Sequence, residues 1–290
     1  MIHGESHLFA GLYLKKLIRA KLLFAFRSNT VMDKRMSIIE NRGKQFEQLA
    51  ISLEILKFKG YEKIVGKRAD LILFQSEFDR ESYLSRVPRF RSKTAVIRGN
   101  ISEPHFRAEY KDINTSSHLR TLLFIGGVGE RKGIRHLIEA VELLKKENKD
   151  VKLIAVGGGS KLESRKEYIR DHGLEDAIVF MGRQSNPFPF FKDADLVVVP
   201  SLFDSYPDVV LEALHTGAPV IASRVGGIPD ILCHDDLLFE PANARAIADR
   251  IGEMIDQPSR YLEARRLCAE RRKEFLFDWA EEHERLMRCD

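Results

Sequence analysis

Three cysteines, Cys233, Cys268 and Cys289, are all that 290 residues contain, and their spacing fits neither a disulfide framework nor a metal knuckle. Such scarcity points to a reducing compartment, and the expected location is cytoplasmic. No apolar run approaches the roughly 20 residues that a membrane-spanning helix needs. The opening Met1-Ile-His-Gly-Glu-Ser-His lacks the pattern of a secretory leader. There is no His-Glu-x-x-His and no paired Cys motif, so no metal site is expected. The one Asp-x-Asp, Asp193-Ala-Asp195, leads into a strand pattern instead of ending one, and reads as a loop lead-in. Basic-aromatic motifs are missing too, which argues against nucleic acid as a partner. No internal repeat or low-complexity segment is found.

What remains is ordinary for a globular enzyme: 44% hydrophobic and 31% charged residues, in a chain long enough for two medium domains. Charge is unevenly spread. Residues 1–110 carry 21 Lys and Arg against 12 Asp and Glu, a balance of +9, whereas residues 111–290 stand at −5. The basic half suits a solvated surface, an acidic acceptor, or peripheral contact with the anionic inner face of a membrane.

Strand and helix patterns alternate almost throughout, which predicts parallel sheets covered by helices. In the first half, strands are expected at 20–27, 69–75 and 93–98, with helices at 36–58 and 76–86. The second helix is capped by Ser76, with Asp79 three residues on. Irregular, polar residues 99–120 predict a linker, giving domains of 1–110 and 111–290. Beyond it, strands are expected at 122–126, 151–156, 177–181, 196–199 and 219–222. Helices are expected at 133–147, 163–172, 189–192, 207–215, 243–256, 259–274 and 277–288.

Three glycine turns follow strands in the second half. In Phe124-Ile-Gly-Gly-Val-Gly-Glu-Arg-Lys-Gly133, Gly126 and Gly127 give the backbone the freedom to form a phosphate nest, and Arg131 and Lys132 add cations. No Gly-Lys-Ser/Thr follows, so this is not a Walker A loop. Val156-Gly-Gly-Gly159 is equally a tight turn or a nucleotide-side turn, and it lacks the Gly-x-Gly-x-x-Gly of dinucleotide binders. Val179-Phe-Met-Gly-Arg-Gln184 ends a strand in a third such turn.

The most informative stretch is Pro200-Ser-Leu-Phe-Asp-Ser-Tyr-Pro-Asp-Val-Val-Leu-Glu-Ala-Leu-His-Thr-Gly-Ala-Pro-Val-Ile-Ala222. It sets two acids, Asp204 and Glu212, eight residues apart. Pro207 between them reads as the first residue of a helix, where its missing N–H is harmless. Backbone N–H groups of Asp208 and Val209 then face whatever lies ahead of that helix, and such a terminus favours an anion.

This segment resembles the Glu-x7-Glu segment of retaining glycosyltransferases of the GT-B fold, family 4, also called group 1, with Asp204 in place of the first Glu. The resemblance is strong over 120–230, and fair over 66–105 and 235–285. It implies two facing doubly wound Rossmann-like α/β domains with a nucleotide-sugar cleft between them. It also implies transfer of a sugar from a nucleotide diphosphate, such as a UDP- or GDP-sugar, to a hydroxyl acceptor, polysaccharide or lipid-linked, with retention of configuration and without a metal cofactor. Carried over, Glu212 takes the ribose hydroxyls and Asp204 faces the transferred sugar. Backbone donors of Ser205, Tyr206, Pro207's turn and Asp208 meet sugar or phosphate oxygens. Lys132 takes the diphosphate, and Arg131 is the candidate to replace the Arg that the family carries where Gly127 stands here. Gly158 lies beside the nucleotide, and main-chain groups of Arg183 and Gln184 pair with the base. Gly226-Gly227 with Asp230 resembles the family's Gly-Gly-x-x-Glu turn. A histidine near the reacting sugar is expected at either His3 or His7. The family's opening strand and glycine-rich loop are not found in 1–60, so an abbreviated first domain is expected. A nucleotide-sugar-binding or partner subunit without turnover is the alternative, and a GT-B phosphorylase or epimerase shares the fold. The last helix is expected to pack back on the first domain.

Overall fold

A computed structural model describes residues 2–3, 22–26, 34, 45–100 and 119–288. The chain forms two compact units: Met1–Gly99 with Asp278–Asp290, and Asn100–Phe277.

In the first unit, β1 (Ile2–His3), β2 (Leu23–Ala25), β3 (Leu71–Phe74) and β4 (Thr94–Val96) form a parallel sheet in chain order. Successive side chains point to opposite faces. Phe24, Ile72 and Phe74 therefore pack on one side with Tyr83, while Leu23, Ala25 and Leu73 pack on the other with Ile97. Helix α1 (Gln45–Arg68) joins β2 to β3, and α2 (Glu77–Arg86) follows β3. The Ser76 hydroxyl accepts from the Asp79 N–H at 3.1 Å and caps α2 as expected. Arg86 grips Glu62 of α1 with two nitrogens, at 2.8 and 2.5 Å, which ties the two helices together.

The helix placed at 36–58 needs correction. Residues 36–44 lie outside those described, and the helix runs ten residues past the expected end, through Gly60 and Gly66, to Arg68. Gly66 is there for contact, since a Cβ would sit 2.1 Å from the Phe90 ring.

The second unit is a six-stranded parallel sheet. Its strands are β5 (Thr121–Ile125), β6 (Lys152–Val156), β7 (Ile178–Gly182), β8 (Leu196–Val199), β9 (Val220–Ser223) and β10 (Leu238–Phe239). Their order is β10-β9-β8-β5-β6-β7. Both faces are covered, so β8 reads Leu-Val-Val-Val and is buried throughout. The covering helices are α3 (Ile134–Lys146), α4 (Leu162–Asp171), α5 (Phe188–Asp193), α6 (Asp208–Thr216), α7 (Ile228–Leu232), α8 (Ala244–Asp256) and α9 (Pro258–Lys273). The carboxylate of Asp195 accepts the N–H groups of Arg120 and Thr121, at 3.0 and 2.8 Å, and so anchors the start of β5. The last helix, α10 (Trp279–Arg288), belongs to the first unit, where Trp279 and Leu286 pack on Leu23, Ala25, Leu73 and Ile97.

From β5 the chain moves to β6 and β7 on one side, then returns to β8 and proceeds to β9 and β10 on the other. The loops after β5 and β8 therefore part at a topological switch point, the place where open α/β sheets bind ligands.

Candidate active site

Three strand-end turns of the second unit stand side by side. The Gly126 N–H donates to the Val156 carbonyl at 3.0 Å, Gly157 N–H to Gly182 at 2.8 Å, and Val128 N–H to Gly158 at 3.1 Å. At Gly157, φ is +143° and a Cβ would lie 1.8 Å from the Gly126 carbonyl oxygen, so the first two turns meet only because this residue is glycine. Together they line a groove of about 310 Å³. Its lining combines the glycine backbone of Gly126, Gly127, Gly157 and Gly158 with apolar Ile125, Val156 and Pro187. Arg183 and Gln184 complete it, the Gln184 amide being held by donation to the Met181 carbonyl at 2.7 Å. Such a groove, apolar with a few polar groups and an exposed glycine backbone, suits a flat heterocycle.

Next to it lies a cluster of charge. The stem of Lys132 runs beside Gly126. Its ammonium meets Asp204 Oδ2 at 2.5 Å, and Arg131 Nη1 is 4.0 Å from Oδ1. Ser201 Oγ donates to the same Oδ2 at 3.3 Å. The carboxylate is largely buried, at 10% exposure, and Lys132 is at 22%. The loops that carry these residues come from the two sides of the switch point and are joined by the Leu202 N–H donating to the Arg131 carbonyl at 2.8 Å.

Asp204 is held from behind by a third loop. Its carbonyl accepts from the Gly227 N–H at 3.3 Å, and Gly226 has φ +55°. A Cβ on Gly226 would lie 1.7 Å from that carbonyl oxygen. Gly226→Ala is therefore expected to displace Asp204 and to destabilise the fold by about 2 kcal/mol. Chemical denaturation of the variant measures this, and an unchanged midpoint would show that the loop yields freely.

Helix α6 leaves this loop. Pro207 is its N-cap, with ψ 120°, and not its first helical residue as the sequence suggests. The extended ψ that precedes the helix shifts the start by one residue. Ser205, Tyr206 and Pro207 are buried, and Asp208 is exposed at the helix start. The N–H groups of Asp208 and Val209 precede the first helical hydrogen bond, which Val210 makes to the Pro207 carbonyl at 3.1 Å. Glu212, a turn later, is half-buried, and its carboxylate makes no hydrogen bond or ion pair among the described residues, while its backbone carbonyl accepts from the Thr216 hydroxyl at 2.9 Å. Burial, and secondarily the charge of Asp208 four residues before it, pushes its carboxyl up to about 7.

Of the residues singled out from sequence, Gly126, Gly127, Gly158, Arg183 and Gln184 share the groove, and Arg131, Lys132 and Asp204 share the charge cluster. Ser205, Tyr206, Pro207, Asp208 and Glu212 do not line the groove; they lie on the loop and helix that leave the cluster. Sequence reasoning missed Ser201 and the apolar lining residues Ile125, Val156 and Pro187. Two of these four, Ile125 and Val156, are the last residues of their strands, and that position was the available signal. His3 lies in β1, with its side chain outside the described residues, as is all of His7. Cys233 and Cys268 are free thiols, and Cys289 is not among the described residues.

Comparison with known proteins bears on this arrangement. A sequence profile described as Glycosyl transferases group 1 matches residues 106–275. The N-acetyl-alpha-D-glucosaminyl L-malate synthase of Bacillus anthracis is 28% identical over 170 residues, 58% of this chain and 43% of that protein. The chain spans less than half the length of the curated relatives it matches. Among solved structures, sucrose-phosphate synthase from Thermosynechococcus elongatus aligns with 97% of this chain and 70% of its own, at a TM-score of 0.75 and 23% identity. HepE of Anabaena, solved in complex with UDP, aligns with 99% of this chain and 77% of its own, at 0.73 and 17%. These likenesses establish the fold as that of GT-B glycosyltransferases.

Proposed function

The chain belongs to the group 1 glycosyl transferases, and from that premise we propose that it moves a sugar from a nucleoside diphosphate to a hydroxyl acceptor with retention of configuration, as in family 4. One observation carries this reading. A groove lined by glycine backbone opens beside a Lys132–Asp204 ion pair at the switch point, next to the N-terminus of α6. A nucleobase fits the groove, a diphosphate fits the cation and the oriented N–H groups, and Glu212 supplies two acceptor oxygens for a vicinal diol.

The chemistry follows from charge. The bond from the anomeric carbon to the diphosphate oxygen breaks, and the bond to the acceptor oxygen forms on the same face. The acceptor's proton passes to a phosphate oxygen of the leaving group. Lys132, Arg131 and the α6 terminus stabilise the negative charge that develops on that diphosphate. Asp204 orients the sugar hydroxyls once Lys132 turns to phosphate.

Three measurements test this. UDP, then GDP, at a hundred times its Kd is expected to stabilise the protein by roughly 2.7 kcal/mol, read as a rise in melting temperature. Turnover of the matching nucleotide sugar follows, and binding without any turnover or hydrolysis would favour a donor-binding subunit instead. Because the neutralising charges belong to the protein, transfer is expected to persist in excess chelator. Abolition by chelator with rescue by Mn²⁺ would overturn that assignment.

A further inference from the structure

Helix α1 has an outer face unlike that of a soluble crossover helix. Leu49, Leu53 and Leu56 are 60%, 60% and 66% exposed, and Ile64 is 42% exposed. At spacings of four and three residues they fall on one line along the helix, with Gly60 between them. The opposite side of the helix is already used, Val65 and Tyr61 packing with Phe24 and Phe90 of the first unit's core.

Charge on this face is of one sign. Lys57 and Lys63 flank the apolar line on either side, Lys67 extends it, and Lys59 and Arg68 lie further round. From Leu49 to Arg68 the helix holds two acids, and both are engaged: Glu54 pairs with Lys34, and buried Glu62 is held by Arg86. Leu49–Arg68 thus carries five basic residues against two acids, beside the exposed leucines.

We propose that this face of α1 lies in the interface of an anionic lipid layer, with Leu49, Leu53, Leu56 and Ile64 in the acyl boundary and the lysines at the phosphates. With its inner side held by the core, the helix offers outward an apolar line with cations beside it, which lets the leucines enter a lipid interface while the lysines meet its phosphates. Lysine stems reach past apolar surface while their ammonium groups stay with the phosphates. A second helix, by contrast, would meet Lys63 and Lys67 where it needs apolar partners, which disfavours a copy of this chain as the occupant. No described helix is long and apolar enough to cross a membrane, so the contact is peripheral. The inference is independent of the donor site, because α1 belongs to the first unit and the groove to the second.

The test is sedimentation of the full chain with vesicles of phosphatidylcholine, alone or mixed with phosphatidylglycerol. The protein is expected to pellet with the mixed vesicles, to stay in solution with phosphatidylcholine alone, and to be released by high salt. L53E/L56E is expected to lower partition into mixed vesicles by at least roughly tenfold. Because both leucines are exposed, the variant should keep the wild-type melting temperature and nucleotide binding. K57S/K63S is a second variant that leaves the leucines in place, and it is expected to lose the preference for the anionic lipid. Failure of the wild type to bind mixed vesicles, or wild-type binding by L53E/L56E, would overturn the proposal. So would a lipid-free dimer, seen by light scattering, that L53E/L56E dissolves.

Discussion

Glu212→Gln is expected to leave a protein that is more stable than the parent above pH 7 and binds nucleotide roughly 10- to 150-fold more weakly, the equivalent of about 1.5–3 kcal/mol for hydrogen bonds to a charged group. The two effects have one cause. Burial, aided by Asp208, raises the Glu212 carboxyl to about 7, from an ordinary 4.5. Folding therefore favours the protonated form. Below about pH 4.5 both folded and unfolded chains carry the proton and nothing is lost. Between 4.5 and 7 the unfolded chain ionises first, so stability falls as pH rises, and above 7 the loss is complete. Glutamine is neutral throughout and escapes it. Thermal melts should show the variant's advantage at pH 8 and its shrinkage toward pH 5. On the proposed reading, the ionised carboxylate is also the form that accepts the two ribose hydroxyls. Nucleotide affinity of the parent should therefore decline as pH drops through 7, while that of the variant stays flat. Equal affinity of parent and variant at pH 8 would remove Glu212 from the donor site.

Lys132→Ala should do the reverse to stability. It strips the nearer of two cations, Arg131 remaining 4.0 Å away, from a carboxylate that is 10% exposed. Loss of one partner from such a pair costs about 3 kcal/mol, a drop of roughly 6–12 °C in melting temperature. Adding Asp204→Asn to that variant should restore most of the stability, because no charge is then left alone. Binding should separate the roles further. Lys132→Ala is expected to weaken nucleoside diphosphate by more than tenfold and nucleoside hardly at all, since an ammonium acts on phosphate charge. Calorimetry with both ligands decides. Equal losses for the two would mean that the turn had collapsed. Asp204→Asn alone frees Lys132 for phosphate, so it should bind nucleoside diphosphate at least as well as the parent.

Much of the second unit could be read directly from its residues, and the reasons are local. Each of β5, β6, β7 and β8 is a short apolar run ending in a turn, so residue type announces both the strand and its end. The Asp204–Glu212 spacing survives into the structure because a helix start fixes it. The Lys132–Asp204 pair was not legible. Those residues are 72 apart in sequence, and only the return of the chain from β7 to β8 brings them together. Short elements were missed for a different reason. α7 has five residues and β10 two, too few for periodicity to register. The end of α1 was misplaced because the helix runs on through Gly60 to Gly66, whose lack of a side chain admits the Phe90 ring, a contact between residues 24 apart in sequence.

The first unit is built from both ends of the chain, and this sets an order in time. α10 closes the apolar cluster of Leu23, Ala25, Leu73 and Ile97 with Trp279 and Leu286, yet it leaves the ribosome only after all of Asn100–Phe277. At about 5–20 residues per second that interval lasts roughly 10–35 s. Throughout it, the cluster of Leu23, Ala25, Leu73 and Ile97 lacks Trp279 and Leu286, and at its end the second unit is complete before α10 has emerged. The nascent chain is therefore expected to finish its second half first, and to present the bare side of β2 and β3 as the natural target for holding chaperones during synthesis.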